Sequence, residues 1–164
     1  MSADLFVVRH GIAHERDPER WPDDSQRPLT PKGEREVRAA ARGLKSLTDP
    51  VATVLASPYP RAWRTAEILH EVAGWGKPRP CAPLEADGDA AEAIAAVAAQ
   101  LNDGRIAIVG HEPMLSDLCG ILLGGSVIEL KKGAVARLSV REWRRAGATL
   151  RWLFPPKALR ALGG

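Results

Sequence analysis

Three short apolar runs, each followed by a polar turn and a helical pattern, constrain the fold of this chain most strongly. They occupy residues 5–8, 51–56 and 106–109. Continuous apolar runs of this length are typical of strands that are buried on both faces. Because strands that alternate with helices form parallel sheets, the sequence predicts an α/β fold. We expect a three-layer sandwich, with a mostly parallel central sheet and helices on both of its faces.

The helical spacing of apolar residues predicts the helices that connect these strands. Four helices are expected, between Thr30 and Asp49, Arg61 and Gly74, Asp89 and Asn102, and Pro113 and Gly124. Thr30 followed by Pro31, and Asp89 followed three residues later by a glutamate, are typical helix-start signals. Residues 79–82 are expected to form a further short strand.

The pattern changes from Ser126 onward. Apolar side chains occupy every second position from Ala134 to Val140, and residues 149–154 form another strand-like run after Gly147. Two such runs separated by a glycine-containing turn are typical of an antiparallel hairpin. We expect this hairpin at the edge of the sheet.

Composition limits the kind of protein. The chain has 164 residues, 45% of them hydrophobic, which is enough for one compact domain spanning residues 1–164. Its net charge is +3, and its basic residues are scattered among 20 acidic ones, which argues against a nucleic-acid partner. The start carries no positively charged leader, and no uncharged apolar stretch is long enough to cross a bilayer. We expect a cytoplasmic monomer that does not bind membranes.

The spacing of cysteine and histidine argues against a metal site. Cys81 and Cys119 lie far apart and outside any C-x-x-C pattern, so we expect two reduced thiols in the core. His10 and His14 are four residues apart, as in zinc-binding helices, but Gly11 follows a strand and the glutamate of that motif is missing. We expect no metal and no cofactor.

Charged residues follow the three clearest strands. Arg9 and His10 follow the first strand, a turn ending in Arg61 follows the second, and His111 follows the third. In mostly parallel sheets, ligands bind beyond the carboxyl ends of the strands. We therefore expect Arg9, His10, Arg61 and His111 to surround one crevice.

Two arginines and two histidines suit a phosphoryl group. Guanidinium groups offer fixed donors and permanent charge to phosphoryl oxygens. Cations beside His10 favour its neutral imidazole, which is the nucleophilic form, so His10 is the candidate for attack on phosphorus. His111 is the candidate donor to a phosphoryl oxygen.

Other charged residues have simpler interpretations. His14 and His70 are expected to be structural or solvated, and Arg64 is expected to face solvent. The basic residues near the hairpin form either a solvated face or a docking site for an acidic protein; they are Arg141, Arg144, Arg145 and Arg151.

Three motifs carry a resemblance to a known family. They are Val8-Arg9-His10-Gly11, Ser57-Pro58-x-x-Arg61-Ala62-x-x-Thr65-Ala66 and Gly110-His111-Glu112-Pro113. In this order they resemble the histidine phosphatase superfamily, which has the phosphoglycerate-mutase-like fold. Two further segments are similar to the SixA-type phosphohistidine phosphatases of that superfamily; they are Arg27-Pro28-Leu29-Thr30-x-x-Gly33 and Trp152-Leu153-Phe154-Pro155-Pro156-Lys157.

The resemblance implies a role for each candidate. His10 would be the phosphorylated nucleophile, and Arg9, Arg61 and His111 would complete the phosphate pocket, with hydrolysis needing no metal. Larger members of the superfamily carry a glutamate that protonates an ester leaving group, within a motif that this chain lacks. Glu85 and Asp87 lie in that region of the sequence, but we expect them to be solvated loop carboxylates.

The missing acid favours one substrate class. An alkoxide is a poor leaving group that needs an acid, whereas imidazole leaves more readily. We therefore expect a metal-independent phosphatase that removes phosphate from phosphohistidine on a signalling phosphotransfer protein. The alternatives are a phosphatase of small phosphate esters and a non-catalytic module that binds phosphorylated ligands. The long polar segment of residues 12–28 is expected to help cover the pocket.

Overall fold

The computed structural model describes residues 2–164, which form six strands and five helices. The strands are β1 (Ala3–Arg9), β2 (Val54–Ala56), β3 (Pro78–Pro80), β4 (Arg105–Gly110), β5 (Val135–Val140) and β6 (Ala148–Phe154). The helices are α1 (Pro31–Leu47), α2 (Pro60–Ala73), α3 (Ala90–Gln100), α4 (Met114–Leu122) and α5 (Pro156–Leu162). Within the described residues, no helix has both the length and the apolar character that a membrane crossing requires.

The strands form one sheet in the order β3-β2-β4-β1-β5-β6. Strands β3, β2, β4 and β1 are parallel to one another, whereas β5 is antiparallel to β1 and β6 is antiparallel to β5. The mostly parallel α/β sheet and its antiparallel edge hairpin are therefore confirmed. Strand β1 lies inside the sheet, with β4 on one side and β5 on the other.

The core lies on both faces of the sheet. Leu5 and Val7 of β1 pack into a cluster with residues of α3 and α4. Phe6 and Val8 point to the opposite face and pack with residues of α1, α2 and α5. All four side chains are at most 2% exposed, and burying each stabilises the fold by about 1.5–3 kcal/mol. The alternation along β1 therefore fixes the position of Arg9 at its end.

Both predicted helix starts are present. The side chain of Thr30 accepts a hydrogen bond from the backbone N–H of Gly33 at 2.9 Å, at the start of α1. Asp89 accepts from the N–H of Glu92 at 2.9 Å, at the start of α3. Each side chain satisfies a backbone donor that the helix itself leaves unpaired.

Three elements differ from the expectations. Strand β2 begins at Val54 rather than at residue 51, because the backbone of Val51 pairs with the N–H of Gly76 in the loop before β3. Strand β3 ends at Pro80, since a 3-10 turn begins at Ala82. Helix α5 was not predicted. Its seven residues are too few to be stable alone, but Leu159 is fully buried against α1.

Candidate active site

The four predicted residues line one pocket. Strand β1 delivers Arg9 and His10, β4 is followed by His111, and β2 leads through a turn into Arg61 on α2. The pocket has a volume of about 410 Å³. Its wall consists of Arg9, His10, Ala13, His14, Glu15, Arg16, Asp24, Arg27, Arg61, Ala86, His111, Glu112 and Lys132. Sequence-distant segments therefore meet at the carboxyl ends of the parallel strands.

His10 is held in one tautomer. Its side chain is buried, and Nδ1 lies 2.6 Å from the carbonyl oxygen of Gly11. A carbonyl oxygen can only accept, so Nδ1 carries the proton and Nε2 carries the lone pair. Burial is the main cause that lowers the pKa of His10 to about 3; the hydrogen bond with Gly11 opposes the shift, and the positive charges of the pocket arginines contribute to it. The ring is therefore neutral at physiological pH.

His111 is also neutral and offers a donor. Its Nε2 lies 2.8 Å from Oγ of Ser57, which accepts from the N–H of Tyr59 at 3.2 Å. Because Ser57 still has its own hydrogen to donate, this arrangement favours a proton on Nδ1 of His111. Nδ1 is buried with no hydrogen-bond partner among residues 2–164. Burial lowers the pKa of His111 to about 3, with His10 as the next cause.

Each of the two predicted arginines donates from Nη1 to a backbone carbonyl. Nη1 of Arg9 donates to the carbonyl of Leu130 at 2.9 Å, and Nη1 of Arg61 donates to the carbonyl of Asp24 at 2.8 Å. In both residues Nε is buried and unpartnered within the described part of the chain. Burial lowers the pKa of each guanidinium, but arginine stays charged in proteins. Both side chains therefore bring a permanent charge to the pocket.

The turn after His10 requires a glycine. The N–H of Gly11 donates to Oγ1 of Thr65 on α2 at 3.1 Å. A Cβ atom at position 11 would lie 2.4 Å from a methyl carbon of Val37 on α1, which is closer than atoms can approach. This packing fixes the carbonyl of Gly11 that accepts from His10.

Several residues of the wall were not predicted from the sequence. His14 lies in the wall rather than elsewhere on the surface, and Asp24, Arg27 and Lys132 join it there. Arg27 begins the segment Arg27-Pro28-Leu29-Thr30-x-x-Gly33, and this motif was the available signal for it. Lys132 carried no signal, since it follows a loop whose position depends on the whole sheet. Six residues of the segment 12–28 line the wall; they are Ala13, His14, Glu15, Arg16, Asp24 and Arg27.

Three charged residues lie outside the wall. Arg64 lies at the surface, where it pairs with Glu34 at 3.0 Å and Glu71 at 2.9 Å. Glu85 and Asp87 flank Ala86, which does line the pocket. Asp87 is exposed and accepts from the hydroxyl of Tyr59 at 3.4 Å. Neither Glu85 nor Asp87 lines the pocket.

The charge of the wall suits an anion. Across residues 2–164, the pocket is lined by five arginine or lysine side chains and three carboxylates. No three His, Cys, Asp or Glu side chains of that part of the chain are grouped so that they could hold a metal ion. The positive charge facing a ligand in this pocket therefore comes from guanidinium and ammonium groups.

Comparison with known proteins gives consistent matches. The family model for the histidine phosphatase superfamily (branch 1) matches residues 5–87. An uncharacterized protein of Picosynechococcus sp. is 31% identical over 144 residues, covering 82% of this chain and 84% of the relative. The phosphohistidine phosphatase SixA of Escherichia coli is 28% identical over 156 residues, covering 93% of each chain.

A solved structure extends the likeness to the fold. The protein histidine phosphatase SixA complexed with tungstate superposes with a TM-score of 0.82 and 27% identity, covering 95% of this chain and 99% of that one. The family match covers half of the chain and includes the segments of three of the four predicted site residues. The chain therefore belongs to the histidine phosphatase superfamily, and it is a phosphatase with the SixA-like form of that fold.

Proposed function

We propose that this phosphatase removes phosphate from phosphohistidine on a signalling phosphotransfer protein, through a phosphohistidine intermediate on His10. One observation carries the proposal. The unprotonated Nε2 of His10 belongs to a buried neutral ring, and the side chains of Arg9, Arg61 and His111 line the same pocket.

The first step transfers the phosphoryl group to the enzyme. The lone pair on Nε2 of His10 attacks phosphorus, and a P–N bond forms while the bond from phosphorus to the substrate nitrogen breaks. The leaving imidazole takes a proton from water. Arg9, Arg61 and His111 donate to the phosphoryl oxygens, whose charge is spread in the transition state.

The second step releases phosphate. Water attacks phosphorus, the bond to Nε2 breaks, and the proton from water passes to solvent as inorganic phosphate forms. The phosphorylated ring of His10 is positive while Nδ1 keeps its proton. The carbonyl of Gly11, 2.6 Å from Nδ1, stabilises that charge, because a hydrogen bond from a charged donor is stronger than one between neutral groups.

The substrate class follows from the leaving group. Glu85 and Asp87, which lie in the expected region of an acid, are outside the pocket wall. Of the wall carboxylates, Asp24 pairs with Arg27, and Glu112 accepts from the N–H of Ser116. An imidazole leaving group can be protonated by solvent, whereas a sugar alkoxide requires a placed acid. The similarity to SixA of Escherichia coli, named a phosphohistidine phosphatase, supports the same substrate.

The test compares substrates under matched conditions. Purified enzyme is assayed with a phosphohistidine-bearing phosphotransfer domain and with a series of sugar phosphates. We expect kcat/KM for the phosphoprotein to exceed that for every ester. Faster ester turnover would instead identify a small-ester phosphatase, and binding of the phosphoprotein without release of phosphate would identify a binding module.

A further inference from the structure

A carboxylate from the long loop joins two arginines of the pocket. Asp24 lies in the 3-10 turn Asp24–Gln26, within the loop of residues 12–28. Its Oδ1 accepts from Nε of Arg27 at 2.8 Å, and its Oδ2 lies 3.4 Å from Nη2 of Arg61. Its backbone carbonyl accepts from Nη1 of Arg61 at 2.8 Å. One loop residue therefore holds both terminal nitrogens of Arg61.

The loop is itself fixed at this point. Asp23 accepts from the backbone N–H of Ser25 at 3.0 Å and from its hydroxyl at 2.6 Å. Arg27 donates from Nη1 to the carbonyl of His14 at 2.6 Å. These bonds close the turn, so Asp24 meets the two arginines as part of an ordered structure.

This contact engages both terminal nitrogens of Arg61. Nη1 and Nη2 face Asp24, while Nε has no partner among residues 2–164. Burial and the charge of Arg27 lower the pKa of Arg61, and the charge of Asp24 opposes that shift. The hydrogen bond from Arg27 lowers the pKa of Asp24, so its carboxylate is ionised at neutral pH.

We propose that Asp24 is a positioning residue with two effects on this enzyme. It aligns the guanidinium of Arg61 for the phosphoryl group, and its negative charge weakens the binding of the released inorganic phosphate. A carboxylate in the pocket wall repels an anion bound beside the same arginines. Asp24 therefore lowers product affinity and supports turnover. The inference rests on the proposed function only in placing a phosphoryl group in this pocket.

The test uses Asp24→Asn, which keeps the shape of the side chain and removes its charge. The dissociation constant for inorganic phosphate is measured by calorimetry, and kcat and KM are measured with a small phosphorylated compound. We expect phosphate to bind about tenfold more tightly and kcat to fall about tenfold, the size expected for one partly exposed charge. Asp24→Glu should restore both values toward those of the wild type.

Glu71→Gln is the matched control. Glu71 also joins two arginines, Arg38 and Arg64, each at 2.9 Å, but it lies outside the pocket wall. The phosphate affinity and kcat of Glu71→Gln should equal those of the wild type.

Two results would overturn the proposal. Unchanged or weaker phosphate binding in Asp24→Asn would reduce Asp24 to a structural link of the loop, as would loss of folding in that variant. Phosphate binding is read without any phosphoprotein. A failure of phosphohistidine hydrolysis would therefore count against the proposed function and leave this measurement intact.

Discussion

At the residue scale, the proton on Nδ1 of His10 determines which nitrogen can react. The carbonyl oxygen of Gly11 accepts a hydrogen bond from Nδ1, and the His10 side chain also lines the pocket. The sequence predicts a neutral ring because cations follow and precede it along the strand ends. The structure shows that burial is the larger cause and that Arg61, Arg9 and Arg27 add to it. Solvent exclusion and arginine charge thus act in the same direction.

The neutral rings can be observed directly. Because the pKa values of His10 and His111 are lowered to about 3, both rings should stay unprotonated from pH 8 down to pH 5. An NMR titration that follows the C2–H signals of the histidines measures this. Signals of His10 or His111 that shift with a midpoint near the usual value of about 6.5 would contradict the assignment.

Arg61 is expected to need its guanidinium, not only its charge. Arg61→Lys keeps a cation but loses the donor fork that meets Asp24 and the unpartnered Nε. We expect kcat to fall by roughly 10²–10³, the usual cost of removing one placed donor. Steady-state kinetics of Arg61→Lys and the wild type measure this fall in kcat.

Arg64→Lys is the control for that variant. Arg64 lies on the same helix but outside the pocket wall, so this variant should keep the wild-type kcat. Equal losses in the two variants would show that the effect belongs to α2 as a whole.

At the scale of elements, α5 shows how packing creates a helix that local pattern does not predict. Its seven residues begin at Pro156 and end before Gly163. The helix lies against α1, where Gly43 leaves room for it: a Cβ at position 43 would lie 1.9 Å from the carbonyl oxygen of Leu159. Close approach of the two backbones therefore depends on this glycine.

Gly43→Ala should destabilise the protein although alanine favours helices. The added methyl group forces α5 away from α1, and overpacking of this kind costs about 1–3 kcal/mol. Urea unfolding measures the free energy. Arg42→Ala, at an exposed neighbouring position of α1, should change the free energy of unfolding by less than about 0.5 kcal/mol. A wild-type value for Gly43→Ala would mean that α5 does not pack as described.

At the scale of the whole molecule, the sequence predicts the site residues that follow strands better than those that lie on loops. Arg9, His10 and His111 were predictable because the apolar runs before them identify the strands, and parallel strands bring their ends together. Asp24 and Lys132 could not be predicted as site residues, because they lie in segments that connect the strands and helices. The contact of Arg9 with Leu130 spans 121 residues, and that of Arg61 with Asp24 spans 37. No local pattern encodes such contacts.

Two buried neutral histidines also affect the stability of the whole molecule. Below about pH 6.5 the unfolded chain binds protons at His10 and His111, whereas the folded chain does not until about pH 3. The unfolded state then holds more protons, so the free energy of unfolding should fall as the pH drops from about 6.5 toward 3. The slope reaches at most about 1.4 kcal/mol per pH unit for each ring.

Urea unfolding at pH 7.5, 6 and 5 measures this slope. The double variant His10→Gln/His111→Gln should show a flatter dependence on pH than the wild type. The same slope in both proteins would assign acid sensitivity to other groups.

The central claim is that His10 carries the phosphoryl group between two steps. Wild-type enzyme is mixed with radiolabelled phosphorylated substrate and quenched within milliseconds. We predict a labelled protein whose label is lost in acid and kept in base, absent from His10→Ala and present in His70→Ala, since His70 lies outside the pocket wall. Label of the same kind on His10→Ala, or turnover by the wild type with no label at any time, would contradict the account.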